Sequence, residues 1–225
     1  MRYAAQPDCL LQSPAENAVG RLVLLRHAEA GLRGRFCGLS NPALTSEGRN
    51  AIPRIIERLS PLPPCTVWSS DLRRAKQTAS PIAKHFAVAL RTSPDLREIN
   101  FGQWEGLTWG DIEARFPEDA RAYSECFPHH CPPGGESFHD FQKRVVAELE
   151  RLTKMSEAQT LVVTHGGFIR TAVAWILGMP DRHILRIGVD YGTATVFEKA
   201  ANHGLVTAIN AGGLALGRRK GEGGK

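Results

Sequence analysis

The chain of 225 residues lacks a long apolar run, a leader-like start and a regular set of cysteines. Its longest apolar stretches fall well short of the roughly 18 residues that a membrane helix needs. The start, MRYAAQPDCLLQSPAEN, has no basic segment followed by a continuous apolar stretch. The 5 cysteines are odd in number and irregularly spaced, which favours reduced thiols over a disulfide framework. We therefore expect a cytoplasmic protein with no membrane segment and no membrane partner.

The chain also lacks the basic stripe that marks many nucleic-acid-binding domains. Its formal net charge is +5, but residues 218–225 account for +3 of this total, because four basic residues there face one acidic residue. The surplus left for the rest of the chain is small. We therefore expect no nucleic-acid partner, and we interpret the arginines near positions 26 and 74 as binders of a small anionic ligand.

Motifs of several enzyme classes are missing as well. The sequence contains no G-x-S-x-G, no G-x-x-x-x-G-K, no D-x-D and no cysteine followed six residues later by arginine. These absences weaken the α/β-hydrolase, P-loop, aspartate-phosphatase and cysteine-phosphatase interpretations.

A zinc site is not expected either. A cluster of metal-binding side chains occurs at Cys126, His129, His130 and Cys131, but four ligands within six residues do not readily surround one ion tetrahedrally. The dipeptide His139–Asp140 matches a metal-dependent phosphatase class only as well as chance allows.

What the sequence does contain is a globular composition, 42% hydrophobic and 23% charged, in which short apolar runs alternate with helical patterns. This order is expected of a doubly wound α/β domain with a mostly parallel sheet. Buried strands are predicted at residues 21–26, 65–69, 160–164, 193–198 and 205–209. Helices are predicted at residues 45–59, 72–86 and 137–155. Pro53 and Pro81 are expected to kink the first two of these helices.

Three parts are predicted along the chain. Residues 1–19 form an N-terminal extension, residues 20–210 form the α/β domain, and residues 211–225 form a flexible basic tail. Within the domain, residues 101–135 combine aromatic residues with many polar residues and prolines. We expect this segment to be a loop-like lid over a site.

Two segments run a predicted strand straight into a histidine. They are LVLLRHAEA, which holds His27, and TLVVTHGG, which holds His165. In an open α/β sheet, ligands bind at the carboxyl ends of the strands. Either histidine alone could be an ordinary loop residue, but the matched placement predicts that both belong to one site.

Arginines accompany these histidines. Arg26 precedes His27, and Arg74 lies in SSDLRRAKQTA, directly after another predicted strand. Guanidinium groups match phosphate oxygens, and Gly166 at the start of a predicted helix leaves backbone N–H groups open to the same ligand. The set predicts a pocket for a dianion such as a phosphoryl group.

Phosphoryl transfer in such a pocket needs a nucleophile and an acid. A neutral imidazole can attack phosphorus through one ring nitrogen if a carbonyl or carboxylate holds the other. The acid is a carboxyl that gives its proton to the leaving oxygen. The segment LREINFGQWEG offers Glu98 and Glu105, of which we prefer Glu98 because Glu105 falls in the predicted lid.

Four motifs resemble, in this order, those of the histidine phosphatase superfamily, which has the phosphoglycerate-mutase-like fold. They are RHAE at 26–29, LRRAKQTA at 72–79, LREINFGQWEG at 96–106 and VVTHGG at 162–167. The resemblance covers about residues 20–210. It implies a three-layer α/β/α domain and a phosphohistidine intermediate.

The resemblance also assigns roles to residues of this chain. His27 would carry the phosphoryl group, while Arg26, Arg74 and His165 would bind and neutralise it. Glu98 would give a proton to the leaving alcohol and later take one from water. No metal and no other cofactor is implied, since positive side chains stabilise the transferred group.

The chain departs from the usual pattern at two positions. Ala28 stands where the commonest form has glycine, a small change. Arg33 stands where many relatives carry an asparagine that touches phosphate. A longer cationic side chain could still reach the ligand, so we include Arg33 among the expected phosphate-binding residues, with an exposed loop arginine as the alternative.

Within the superfamily, FGQWEG, a short insert and PPGGESFHDFQKRV are most similar to α-ribazole phosphatases and related broad-specificity phosphatases. The expected partner is thus a small phosphorylated metabolite such as α-ribazole 5'-phosphate. Trp104 and Trp109 would either stack on a flat base or form the core of the lid. A phosphoglycerate-mutase-like enzyme, a sugar-(bis)phosphate phosphatase and a non-catalytic binder of phosphorylated ligands stay open, as does the oligomeric state, a homodimer included.

Overall fold

A six-stranded mixed sheet forms the centre of the computed structural model, which describes residues 20–155, 159–199 and 204–212. In chain order the strands are β1 (Arg21–Arg26), β2 (Thr66–Ser70), β3 (Leu90–Ser93), β4 (Thr160–Thr164), β5 (Ala194–Lys199) and β6 (Gly204–Ala211). Their order in the sheet is β3-β2-β4-β1-β5-β6. The first four are parallel, and β5 and β6 are antiparallel to their neighbours. The predicted extension, residues 1–19, and residues 213–225 of the predicted tail lie outside the described residues.

The prediction of a mostly parallel α/β sheet is confirmed. Each of the five predicted strands is present, with ends that shift by two residues at most. Strand β3 was not predicted. Its sequence LRTS is short and lies at the sheet edge with two exposed positions, so it carries no apolar run that would mark it.

Six α-helices surround the sheet in the described residues. They are α1 (Ser46–Leu59), α2 (Arg73–His85), α3 (Trp109–Arg115), α4 (Pro117–Cys126), α5 (Phe138–Met155) and α6 (Gly166–Ile176). The predicted cap is present at α1, where the Thr45 hydroxyl accepts a hydrogen bond from the Gly48 N–H. Helices α1 and α2 run on through Pro53 and Pro81, and the kinks expected there stay a prediction.

Two hydrophobic cores lie on the opposite faces of the sheet. Because successive side chains of a strand alternate between faces, β1 contributes to both cores. Leu22 and Leu24 pack with α5 and α6, whereas Val23 and Leu25 pack with α1 and α2. The result is the three-layer α/β/α arrangement that the resemblance implied.

The segment predicted as a loop-like lid is instead largely helical, because it contains α3 and α4. Local capping explains α3, since the Thr108 and Asp111 side chains form a reciprocal capping box. Trp104 is fully buried in a small third core with Ile112 and Ala120. The loop expectation is therefore wrong for residues 109–126, while the position of the segment as a lid stays a prediction.

In the described part of the chain, no helix is both long and apolar enough to cross a bilayer.

Candidate active site

The two histidines that follow β1 and β4 meet at one edge of the sheet. In the parallel pairing of these strands, Arg26 lies opposite Thr164, so the next residue of each strand arrives at the same edge. The His27 N–H donates to the Thr164 carbonyl at 2.9 Å. The ring centroids of His27 and His165 are 5.1 Å apart, edge to face, and both residues are buried. Strand pairing thus places two imidazoles side by side.

The partners of His27 define its tautomer. Nδ1 lies 2.7 Å from the Ala28 carbonyl oxygen, which can only accept, so Nδ1 carries the proton. Arg74 Nε donates to Nε2 at 3.2 Å, which requires a lone pair on Nε2. Both contacts therefore identify Nε2 as the unprotonated nitrogen of the ring.

Arg74, on the first turn of α2, is only 1% exposed, and each nitrogen of its guanidinium has a hydrogen-bond partner. Besides His27, it donates to three backbone carbonyls of the loop before α1. They are Ser40 O at 2.6 Å, Gly38 O at 2.8 Å and Cys37 O at 3.2 Å. These bonds hold the charge of the guanidinium beside the ring of His27.

A second guanidinium, that of Arg26, lies at the same edge. Its Nη1 donates to the Val189 carbonyl at 2.6 Å, and its Cζ lies 3.8 Å from the centre of the Tyr191 ring. Its Nε is buried and has no hydrogen-bond partner. Gly166 approaches this group closely, since a Cβ there would lie 3.4 Å from Arg26 Cζ. The pocket therefore has a cationic group with an unused donor.

Glu98 reaches the site from the segment after β3. Its Oε2 accepts from the Gly167 N–H at 2.8 Å, and its Oε1 accepts from the Ile99 N–H at 3.0 Å. A Cβ at position 167 would collide with this carboxylate, so glycine is needed for the contact. Glu98 thus binds a backbone N–H in the first turn of α6, the helix that His165 precedes.

Two side chains outside the cleft hold the backbone around Glu98. Thr164 donates its hydroxyl proton to the Leu96 carbonyl at 2.8 Å. Arg144, on α5, donates to the Asp95 carbonyl at 2.8 Å and to the Arg97 carbonyl at 2.9 Å. The segment that carries Glu98 is therefore tied both to β4 and to a packed helix.

Burial and positive charge keep both imidazoles neutral. Burial, and then the charge of Arg74, hold the pKa of His27 well below its usual range, although the hydrogen bond to Ala28 opposes them. The same two causes, followed by His27, hold the pKa of His165 well below its usual range. Both ring nitrogens of His165 are buried without a hydrogen-bond partner. An anion entering the site would meet the positive charges of Arg26 and Arg74 beside a neutral imidazole, and it would offset the repulsion between the two guanidiniums.

These groups border a cleft of about 310 Å³. Its polar lining includes Arg26, His27, Arg74 and Glu98. The predicted site residues His165 and Gly166 are not part of this lining, although the His165 ring lies 5.1 Å from that of His27. Arg33, a predicted phosphate-binding residue, lies away from this lining. The Arg33 side chain is 76% exposed, pairs with Glu29 at 3.1 Å and does not border the cleft. Its partner Glu29 lies four residues earlier in the chain.

Sequence reasoning missed Tyr191, whose ring covers Arg26 and lies 5.5 Å from that of His27. A signal exists in the topology. Strand β5 is antiparallel to β1, and its first residue, Ala194, pairs with Leu25 near the end of β1. The residues just before β5 must therefore arrive at the edge that holds His27. Sequence reasoning also missed other residues that line the cleft, which include Leu32, Arg35, Phe36, Cys37 and Phe101, whereas Trp109, considered for stacking, does line it.

No group of three or more His, Cys, Asp or Glu side chains that could hold a metal ion occurs among the residues with described positions. In the cluster considered for zinc, His130 Nε2 lies 3.2 Å from Asp119 Oδ1.

Comparison with known proteins gives the site its family. The family model of the histidine phosphatase superfamily (branch 1) matches residues 22–212. A metal-independent phosphoserine phosphatase of Arabidopsis thaliana is 38% identical over 164 residues, which cover 69% of this chain and 68% of that protein. An adenosylcobalamin/alpha-ribazole phosphatase of Escherichia coli is 27% identical over 199 residues, covering 87% of this chain and 98% of the relative.

Solved structures agree with these relatives. The crystal structure of the alpha-ribazole phosphatase from Shigella flexneri superposes with a TM-score of 0.79 at 26% identity, covering 85% of this chain and 96% of that one. The expected phosphoglycerate-mutase-like fold is thereby confirmed, and so is the resemblance carried by the four motifs. The chain belongs to branch 1 of the histidine phosphatase superfamily, and it is a phosphatase.

Proposed function

We propose that this phosphatase hydrolyses phosphomonoesters through a phosphohistidine formed on Nε2 of His27. The observation that carries the proposal is the pair of contacts on that ring. The Ala28 carbonyl holds Nδ1–H, so the lone pair of Nε2 faces the guanidinium of Arg74. A phosphoryl group bound by Arg74 would lie next to this lone pair. Charge from the arginines, rather than from a metal ion, would stabilise the equatorial oxygens.

In the first step, the Arg74 Nε–H moves from Nε2 of His27 to a phosphoryl oxygen, and the freed lone pair of Nε2 attacks phosphorus in line with the ester oxygen. The P–N bond forms as the P–O bond breaks, and the leaving oxygen takes a proton from Glu98. Arg26, Arg74 and His165 bind the phosphoryl oxygens during transfer, together with the backbone at Gly166. The unused Nε of Arg26 and the unpartnered nitrogens of His165 support this assignment.

In the second step, water attacks the phosphohistidine. The Glu98 carboxylate takes the proton of the attacking water, the P–N bond breaks, and its electron pair returns to Nε2. Inorganic phosphate leaves, and Glu98 is protonated again for the next turnover. One carboxyl group thus serves as acid and then as base.

For the substrate, we propose α-ribazole 5'-phosphate or a similar ester with a flat group. The α-ribazole phosphatase relatives match nearly the whole of their own length. Trp109, Phe36 and Phe101 border the cleft, where a flat base could stack. Trp104 is fully buried in the lid core, so the stacking role considered for it passes to Trp109 alone. The cytoplasmic location stays a prediction.

Phosphoserine is a second candidate substrate, because the relative with 38% identity is named for it. Arg35 borders the cleft and could pair with a carboxylate of the leaving group. In this structure Arg35 already donates to the Gly106 carbonyl at 2.9 Å and lies 3.5 Å from Asp111, which makes it less available.

His27→Ala tests the reaction class. We expect kcat/KM for 4-nitrophenyl phosphate to fall at least about 1000-fold, since removing a nucleophile usually costs this much or more. His85→Ala, an exposed histidine on α2, is the matched control and should leave the rate unchanged. Excess chelator should not affect the parent protein. A parent without hydrolysis would favour a non-catalytic binder, and loss of activity in chelator would favour a metal enzyme.

Trp109→Ala tests the substrate class. We would measure kcat/KM for α-ribazole 5'-phosphate, phosphoserine, 3-phosphoglycerate and a sugar bisphosphate. We expect the value for α-ribazole 5'-phosphate to be the highest. We expect Trp109→Ala to lower kcat/KM for α-ribazole 5'-phosphate about 10-fold, as for the loss of one stacked base, and to spare phosphoserine. Trp175→Ala, at a half-exposed tryptophan on α6, is the control. Equal rates over the panel would remove the α-ribazole assignment, and a preference for phosphoserine would support the second candidate.

The state of the two imidazoles gives a pH prediction. Their pKa values are lowered in the folded protein, so both rings should stay neutral at pH 6.5 and gain protons only at lower pH. The unfolded chain binds those protons first, so the free energy of unfolding should fall as pH drops below about 6.5. Nitrogen NMR of labelled histidines in the free protein measures the ring states. A charged His27 ring at pH 7 would contradict the assignment of a neutral nucleophile, and a charged His165 ring would contradict the lowered pKa of that residue.

A further inference from the structure

Glu105, the candidate acid to which Glu98 was preferred, occupies an unusual position next to the site. Its carboxylate accepts hydrogen bonds from three consecutive backbone N–H groups of the loop that also binds Arg74. The distances are 3.1 Å from Gly38 to either oxygen, 2.8 Å from Leu39 and 2.9 Å from Ser40. The Phe101 N–H adds a fourth donor at 3.1 Å. Consecutive N–H groups that converge in this way form a nest for an anion, and here the anion is a side chain of the protein.

The same loop presents its carbonyls to Arg74. In a trans peptide unit the N–H and the C=O point in opposite directions. The unit between Cys37 and Gly38 donates its N–H to Glu105 and accepts from Arg74 through its carbonyl. The unit between Gly38 and Leu39 does likewise. Two peptide planes therefore connect the Glu105 carboxylate directly to the Arg74 guanidinium.

Such a chain of hydrogen bonds is stronger than its separate parts. A negative charge on the N–H side polarises each peptide unit and makes its carbonyl a better acceptor for a guanidinium. Burial would raise the pKa of Glu105, but hydrogen bonds from Ser40, Leu39 and Phe101 outweigh it and lower the pKa, so the carboxylate is charged at neutral pH.

Close packing fixes the arrangement. A Cβ at Gly38 would collide with the Ile99 carbonyl and approach Glu105 Oε1 to 2.5 Å, so only glycine lets the loop come this near. Just before this loop, the Phe36 backbone forms two hydrogen bonds with the residues that follow Glu105. Its N–H donates to Leu107 at 2.9 Å, and its carbonyl accepts from Gly106 at 2.8 Å.

We propose that Glu105 is a positioning residue for phosphoryl transfer, which acts through the peptide units 37–38 and 38–39 to hold Arg74 beside Nε2 of His27. The proposal rests on the function proposed above for Arg74. Glu105 touches neither the substrate nor the reacting atoms. Its loss would leave the guanidinium in the pocket but displaced from the phosphoryl oxygens.

A double-mutant cycle tests this proposal on the full chain. The variants are Glu105→Gln, Arg74→Lys and the two combined, with Glu118→Gln, an exposed glutamate on α4, as the matched control. The readouts are kcat and KM for 4-nitrophenyl phosphate, the inhibition constant of orthovanadate, and the thermal midpoint. We expect Glu105→Gln to lower kcat/KM about 10- to 100-fold, the usual effect of a small misplacement of a catalytic group.

Coupling distinguishes positioning from general support of the fold. If Glu105 acts through Arg74, kcat/KM of the double variant should lie within about 3-fold of that of Arg74→Lys. The reason is that the second change removes an interaction that the first has already removed. Vanadate should bind more weakly to each variant, in parallel with kcat/KM. A purely structural role would instead make the two losses multiply, and that result would overturn the proposal.

The remaining outcomes are separable. Parental activity of Glu105→Gln beside a damaged Arg74→Lys would overturn the role of Glu105 and leave the proposed function standing. Parental activity of Arg74→Lys would remove the proposed role of Arg74 and, with it, this inference. If Glu105→Gln shows no cooperative thermal transition, Glu105→Asp replaces it in the cycle, since aspartate keeps the charge. The loss of kcat/KM in Glu105→Asp should be smaller than that in Glu105→Gln. Combining Glu105→Asp with Arg74→Lys must again leave kcat/KM close to that of Arg74→Lys alone.

Discussion

The parallel pairing of β1 with β4 is the constraint on which the site depends. It brings residues 27 and 165, which are far apart in the chain, to adjacent positions at one sheet edge. Each strand is buried on both faces by helices, so its register cannot slip without turning apolar side chains toward the wrong core. The stability of the two cores therefore maintains the distance between the two imidazoles.

Electrostatics turns this placement into chemistry. The buried guanidinium of Arg74, the half-buried guanidinium of Arg26 and two buried imidazoles share one edge, and burial together with the arginine charges keeps both rings neutral in the free protein. A phosphoryl dianion relieves the crowding of positive charge, so the site is preorganised for the charge that it is proposed to transfer. The two nearby carboxylates bind backbone N–H groups, although Glu98 lines the same cleft as the arginines. Glu98 binds the start of α6, and Glu105 binds the loop behind Arg74.

Much of this arrangement could be predicted from the sequence. The continuous apolar runs that end in His27 and His165 mark buried parallel strands, and strand topology does the rest. Arg74 could be grouped with them because it follows a predicted strand, and Glu98 because the other candidate acid falls in the predicted lid; the motif resemblance then assigned their roles.

Other parts could not be predicted, for physical reasons. Strand β3 has no apolar run, and α3 and α4 pack into a small core of their own that periodicity does not mark. Tyr191 enters only through the antiparallel pairing of β5, which is a property of the whole sheet. Arg33 was expected at the ligand, but it lies at the surface beside Glu29 and does not border the cleft. Side-chain partners of exposed loops are decided by three-dimensional neighbours, and sequence spacing alone does not reveal them.

The sharpest experiment is to find the atom that carries the phosphoryl group. Glu98→Gln, which lacks the base for the second step, should accumulate the intermediate from 4-nitrophenyl phosphate, whose good leaving group needs little help from an acid. Phosphorus–nitrogen coupling in NMR of the base-quenched, labelled protein then identifies the ring nitrogen. We predict a single phosphohistidine, bonded through Nε2 of His27. A phosphoryl group on Nδ1, on His165 or on no histidine would contradict the mechanism.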